Sequence, residues 1–322
     1  MKTLLVCLGS SIDEFYNSNT YPQEGDFSHA RYIGRSAGGC PLNVGCVCGS
    51  KGGNVIALDY LSDKDESSRF LVSELNKYNV DTSNIEYGDA TNGKVVIINT
   101  GALRTMFVVD PVRPHYVIDE KKQQLLNNST YIYSLLHMFE RSFETTKPLM
   151  KAKENGAKVV IDGTSKYDDP KRSKMLIDLA DGLFINTTDY KRLCLSIGMD
   201  AKDELLKKGA EFICITDGSN GATLYTQDNK YYELSLKLDK VLDSTGAGDA
   251  FAGAFLFGRI NDYPYEKCLK LASVSGAYAC TRFGGLGGCA TLDELKEFAR
   301  VHNYNIWGTK NDWIRDNGYL LF

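Results

Sequence analysis

The sequence predicts an α/β fold in which a mostly parallel central sheet carries helices on both faces. Three observations predict it. Apolar runs of four to eight residues recur along the chain, amphipathic stretches with helical spacing separate them, and two regions interrupt that alternation with hairpin-like runs. Strand, helix and strand repeated in that order describe βα units wound on both sides of one sheet.

The elements follow in chain order. Residues 3–8 read as a first buried strand, and residues 54–58, 131–133, 158–162, 182–185 and 212–216 as later ones. Helical periodicity covers residues 66–78, 143–155, 173–179, 189–197 and 202–208, and returns at 265–279 and 292–301. Residues 15–35 and 91–118 break the rhythm: Lys94-Val-Val-Ile-Ile-Asn and Arg104-Thr-Met-Phe-Val-Val are β-rich, without an intervening helix. Residues 231–242 alternate polar and apolar as a strand does, and residues 250–260 carry a helical spacing, so the glycines between them form a strand-to-helix turn.

Composition bounds the function. The chain has 322 residues, 43% hydrophobic and 24% charged, which suits one large globular domain over 1–302 followed by an aromatic-rich extension over 303–322. That extension holds Trp307 and Trp313, so it is expected to pack on the domain. A net charge of −4, without a basic stripe among the aromatics, argues against a nucleic-acid partner. The most apolar runs, such as Phe212-Ile-Cys-Ile215, fall far short of the roughly 20 residues that span a bilayer. The start of the chain reads as a strand and not a leader. The nine cysteines are odd in number and scattered, and read as reduced thiols; with no Cys-x-x-Cys pair and no ligand spacing at His29, His115, His137 and His302, no zinc site is expected. A cytoplasmic location is the expectation.

Chemistry concentrates in Asp243-Ser-Thr-Gly-Ala-Gly-Asp249, ahead of Ala250-Phe-Ala-Gly-Ala-Phe255. A glycine turn at a helix start gathers backbone N–H groups at the positive end of the helix dipole, where an anion is stabilised. Gly246, Ala247 and Gly248 are thus the candidate anion hole. Asp249, in the first helical turn, would repel a phosphate unless it had another task, and proton acceptance from a substrate hydroxyl is that task. The dipole is expected to keep Asp249 ionised, a weak base acting chiefly through orientation. The plain alternative is a glycine turn with an acidic cap. Asp13, just past the first strand, lies where parallel strands open to a binding crevice, although a lone aspartate there also suits a turn or cap.

Two other matches are rejected on context. Gly88-Asp-Ala-Thr-Asn-Gly93-Lys94-Val95 has P-loop spacing, but valine stands where a metal-binding hydroxyl is needed and no helix follows. Gly285-Leu-Gly287-Gly-Cys-Ala290 follows a helical pattern and not a strand, unlike a dinucleotide fingerprint.

The run from Asp243 to Asp249 resembles the C-terminal signature of the ribokinase-like (PfkB) carbohydrate and nucleoside kinases, with Ser244 in place of a threonine. Leu4-Leu-Val-Cys-Leu-Gly9-Ser-Ser-Ile-Asp13 is similar to that family's first strand and substrate aspartate, and Gly38-Gly39-Cys-Pro-Leu-Asn43-Val44 to its double-glycine and asparagine motif. Pro22-Gln-Glu-Gly25-Asp26, Asp162-Gly-Thr164, Asn186-Thr-Thr-Asp189 and Thr216-Asp-Gly218-Ser-Asn-Gly221 follow in the family's order, and the likeness spans residues 4 to about 298.

The resemblance implies a three-layer α/β/α ribokinase-like sandwich with a small β-sheet lid drawn from about 14–36 and 91–118, whose exposed edge is expected to pair two copies as a homodimer. It implies ATP-dependent phosphorylation of a sugar hydroxyl, Asp249 being the general base. Asp13, Gly38, Gly39 and Asn43 would bind the acceptor; Asn186, Thr216, Gly218 and Gly221 would border the nucleotide. Asp189, one methylene shorter than the family's glutamate, would serve Mg2+ through water. Asp243 and Thr245 would hold a monovalent cation, K+. Thr164 and Lys166 depart from the family's asparagine and arginine, which leaves the acceptor open. Phe15, Tyr16, Tyr21, Phe107 and Tyr116 are placed to stack on a base, so a nucleoside kinase is the alternative, with a non-catalytic sugar or nucleotide sensor behind it.

Overall fold

Within β1 (Leu4–Cys7) successive side chains turn to opposite faces and all four are buried: Leu4 and Val6 join one apolar cluster, Leu5 and Cys7 the other. A strand buried on both faces needs a helical layer above and below. The computed structural model, which describes residues 1–7, 9–101, 103–112, 116–142, 146–164 and 167–306, has both layers.

The remaining strands are β2 (Ser11–Ser18), β3 (Ala30–Gly38), β4 (Val55–Ser62), β5 (Val80–Gly88), β6 (Gly93–Thr100), β7 (Leu103–Val109), β8 (Tyr131–Leu135), β9 (Lys158–Asp162), β10 (Gly182–Asn186), β11 (Phe212–Thr216), β12 (Ala222–Tyr225) and β13 (Lys230–Glu233). The helices are α1 (Cys40–Ser50), α2 (Ser67–Lys77), α3 (Glu120–Asn128), α4 (Leu136–Ser142), α5 (Lys147–Glu154), α6 (Pro170–Leu179), α7 (Thr187–Ile197), α8 (Ala201–Lys207), α9 (Ala247–Ile260), α10 (Tyr265–Ala279) and α11 (Leu292–Val301).

The main sheet runs β13-β12-β11-β10-β9-β8-β1-β4-β5. Pairing is parallel from β5 through to β11, with Leu4 opposite both Val55 and Tyr131; β12 turns back against β11, and β13 closes that edge. Helices α1, α2, α9, α10 and α11 cover one face, and α3 to α8 the other. The expected three-layer sandwich is therefore present. Its seven parallel strands end at one rim, where Asp162, Asn186 and Thr216 stand as the last residues of β9, β10 and β11.

The two irregular stretches form a second sheet, β3-β2-β6-β7. The hairpins β2–β3 and β6–β7 are antiparallel, and β2 pairs in parallel with β6 from Ser11 opposite Gly93. Because β2 begins four residues after β1 ends, this sheet rises from the active rim of the sandwich.

One expectation needs correction, and three elements lie outside the sequence pattern. The strand expected over 231–242 stops at Glu233, because β13 is the last strand of its sheet and later residues have no neighbour to pair with; Leu236 is nevertheless buried. The glycine turn therefore follows a loop. Helix α1 carries no amphipathic pattern because every residue from Pro41 to Gly49 is buried, and so it is absent from the periodicity. The polar-rich α3 and β5 were likewise invisible to the pattern. Lys166, His115, Trp307 and Trp313 lie outside the described residues; up to Ile306 the chain packs on the sandwich, with Ile306 buried and the Tyr304 hydroxyl donating to Glu233 Oε1 at 2.6 Å. Among the described residues no helix is long and apolar enough to cross a membrane.

Candidate active site

The acceptor side is built where β2, β3 and α1 meet. Asp13 is buried on β2, and burial pushes its carboxyl up to about 6 although Ser11 Oγ donates to Oδ1 at 3.3 Å. Its carboxylate fills the room a side chain at Gly38 would need, since a Cβ there would fall 2.3 Å from Asp13 Oδ2. Gly39 has φ 97°, and a Cβ would meet the Gly9 carbonyl at 1.8 Å, so only glycine lets the chain swing from β3 into α1. One turn later Asn43 Nδ2 donates to Asp249 Oδ2 at 2.7 Å. Asn43 Oδ1 is buried with no hydrogen-bond partner, a group suited to receive a substrate hydroxyl.

Asp249 opens α9. Gly246 precedes it in the left-handed conformation at φ 72°, packed so that a Cβ would lie 2.4 Å from the Gly285 carbonyl oxygen. Gly248 differs, because a Cβ there would point into open space. The Ala247 N–H closes a turn onto the Ser244 carbonyl at 3.3 Å, so of the three amides expected to face an anion this one already has an acceptor. Burial, then the charge of Asp162, pushes the Asp249 carboxyl up to about 7, against the hydrogen bonds of Asn43 and Cys40 that favour ionisation. The expectation of a dipole-ionised, weak base is thereby corrected. Desolvation outweighs the helix terminus and makes Asp249 a base poised near neutrality.

Two residues that the sequence motifs contain without an assigned role complete this corner. Cys40 Sγ and carboxylate oxygens of Asp162 and Asp249 lie within 4.8 Å of one another. Burial pushes the Cys40 thiol up, so it stays protonated and donates to Asp249. Asp162 is held by the Tyr133 hydroxyl at 3.0 Å on Oδ2 and by the Thr164 N–H at 2.9 Å on Oδ1. The usable signal was positional: Asp162 ends a parallel strand, where catalytic side chains of such sheets gather.

The start of α9 also borders a cavity of about 510 Å³. Thr216, Gly218 and Gly221 line it together with Ala247, Gly248 and Phe251, and Leu236, Val241 and Ala277 give it an apolar wall. Asn186 is not among the lining residues. Its side chain caps α7, accepting the Asp189 N–H at 2.9 Å and donating to Asp189 Oδ2 at 2.7 Å. Asp189 Oδ1 is taken by Arg192 at 3.0 Å, so both oxygens expected to serve magnesium are engaged within the helix cap. At the expected cation position, Arg104 of β7 donates through Nη1 to Thr245 Oγ1 and stands 3.5 Å from Asp243 Oδ1.

The architecture is that of solved ribokinase-like enzymes: ribokinase of Arabidopsis thaliana, complexed with ribose and ATP, superposes with a TM-score of 0.78 over 95% of this chain and 100% of that one at 19% identity. The nucleoside kinase of Methanocaldococcus jannaschii gives 0.75 over 94% and 99% at 18% identity. The profile of the pfkB family carbohydrate kinases matches residues 2–291, and the chain belongs to that family. It is a phosphotransferase with an alcohol group as acceptor. Among curated relatives, 5-dehydro-2-deoxygluconokinase of Clostridium perfringens is 24% identical over 299 residues, 85% of this chain and 86% of that protein.

Proposed function

We propose that this chain transfers the terminal phosphoryl group of ATP to a hydroxyl of a sugar, with Asp249 as general base. The observation that carries the reading is the position of Asp249: a carboxyl poised near pH 7, bonded to Asn43 and next in the chain to Gly248, which lines the 510 Å³ cavity. The acceptor binds against Asp13 and Asn43, whose orphan oxygen takes a hydroxyl proton. Asp249 accepts the proton of the attacking hydroxyl as the new O–P bond forms. The Gly246 and Gly248 amides, at the positive end of α9, stabilise the transferred group, with Ala247 joining them if its turn bond to Ser244 yields. Thr216, Gly218 and Gly221 border the nucleotide. When bound, magnesium neutralises phosphate charge. The engaged oxygens of Asp189 give it no direct ligand, so any contribution from that residue runs through water.

The sugar reading is favoured over the nucleoside one by Tyr116. Tyr116, one of the five rings expected to meet a base, is buried against Tyr60, whereas Tyr21 and Phe107 stack on each other with centroids 6.5 Å apart and stay exposed. β7, the end strand of its sheet, exposes Leu103, Met106, Phe107 and Val108 and suits pairing of two lids in a homodimer, checked by light scattering. The nine thiols suit a reducing compartment such as the cytoplasm.

The test is ADP release with pentoses, hexoses, their monophosphates, sugar acids and nucleosides. Turnover confined to nucleosides moves the chain to the alternative acceptor class. Tight ligand binding without ATP turnover on any acceptor makes it a sensor and sinks the proposal.

A further inference from the structure

The loop ahead of α9 carries the two groups, Asp243 and Thr245, that the sequence assigns to a monovalent cation. The structure seats a guanidinium on them. Arg104 comes from lid strand β7, far away in sequence, and its Nη1 donates to Thr245 Oγ1 while standing 3.5 Å from Asp243 Oδ1. The Thr245 hydroxyl in turn donates to Asp243 Oδ1 at 2.6 Å, and the Thr245 N–H donates to the same oxygen at 2.9 Å. Asp243 Oδ2 accepts the Gly284 N–H at 3.0 Å. Every side-chain oxygen of this pair therefore faces a donor.

A guanidinium and a bare cation compete for the same oxygens, because each approaches the lone pairs that the other requires. Asp243 is mostly buried and its charge needs a counter-charge in either case. Although burial works against it, the bonds from Thr245 and Gly284 and the nearby Arg104 hold the carboxyl below its ordinary range. The consequence reaches the phosphate loop, since Thr245 adjoins Gly246.

We propose that Arg104 takes the place of the monovalent cation: the lid supplies the fixed positive charge beside the Gly246–Gly248 loop, and the chain needs no potassium. This rests on the reading of that loop as the phosphate site. It adds a positioning residue, because Arg104 acts through Asp243 and Thr245 and not on the reacting atoms.

The test uses the full chain in potassium chloride and in tetramethylammonium chloride at equal ionic strength, with thermal unfolding and MgATP calorimetry as readouts. The parent protein should unfold at the same temperature in both salts and bind MgATP equally well in both. Arg104→Ala should lose about tenfold in MgATP affinity in tetramethylammonium, the scale of one charge-assisted contact, and recover most of it in potassium. It should also gain a saturable, potassium-specific rise in unfolding temperature. Arg104→Gln, which keeps a donor but no charge, should behave like the alanine variant. A potassium-specific stabilisation of the parent overturns the proposal, as does an Arg104→Ala protein that equals the parent in both salts or is equally impaired in both. If the parent binds no MgATP at all, the phosphoryl-transfer reading fails, and the potassium-specific thermal shift still decides the role of Arg104.

Discussion

Asp249→Asn keeps the shape of the side chain while removing its proton chemistry, and it should move turnover and stability in opposite directions. Turnover falls by at least about 100-fold, the scale of losing a general base. Stability rises, and the rise depends on pH. In the fold, burial and the Asp162 charge push Asp249 up to about 7; in the unfolded chain it titrates near 4. Below about pH 4 both states keep the proton and nothing is lost. Between about 4 and 7 the unfolded chain releases its proton first, so the folded state loses up to about 1.4 kcal/mol per pH unit, and above 7 the loss is complete. Asparagine does not titrate. From pH 5 to pH 8 the stability gap between variant and parent should therefore widen by up to about 3 kcal/mol, or about 4 °C in Tm for 322 residues. Denaturant melts of both proteins at the two pH values measure the gap, because titrating groups that do not sense Asp249 cancel in the comparison. A gap that stays constant with pH, or narrows toward pH 8, would refute the reasoning and leave Asp249 an ionised helix cap.

Asn43→Ala removes a donor that favours the ionised form of Asp249, so the rise of kcat/KM with pH should shift to higher pH than in the parent; an unchanged profile speaks against that bond. Gly248→Ala should fold normally, its Cβ meeting nothing, yet lose nucleotide affinity, whereas Gly246→Ala should destabilise the protein outright through the Gly285 carbonyl; paired melting curves and ATP titrations separate the two. Cys40→Ala removes a donor that favours the ionised form of Asp249, so it should shift the rise of kcat/KM to higher pH without a large loss of fold; an unchanged profile counts against its placement there.

The strongly periodic parts of the fold were legible. Helices α10 and α11 run over the residues expected of them, and α11 has one apolar and one polar side, with Leu295 and Ala299 buried. Helix α1 was not, because burial on all sides erases the polar stripe that a periodicity argument reads. At the site, Asp13, Gly38, Gly39, Asn43 and Asp249 could be named because their motifs are local in sequence. Asp162 and Cys40 stood in motifs without an assigned role, and Tyr133 and Arg104 were not singled out, because their meanings come from neighbours brought together only by folding: β8 beside β9, α1 beneath α9, and β7 against the loop at 243–245. The ionisation of Asp249 was misjudged for a related reason. Sequence shows the helix terminus, but desolvation is a property of the packed corner.

The parallel bond between β2 and β6 bears on how this scaffold can be re-engineered. Asp13 sits on the same strand that ties the two hairpins together, two residues beyond Ser11, which lies opposite Gly93 on one side and Gly38 on the other. Cover and acceptor grip are thus a single mechanical part, and a chimera that exchanged one hairpin for a relative's would disturb both at once. Grafts with a new acceptor preference should carry β2, β3, β6 and β7 as a block, with the double glycine as their downstream joint.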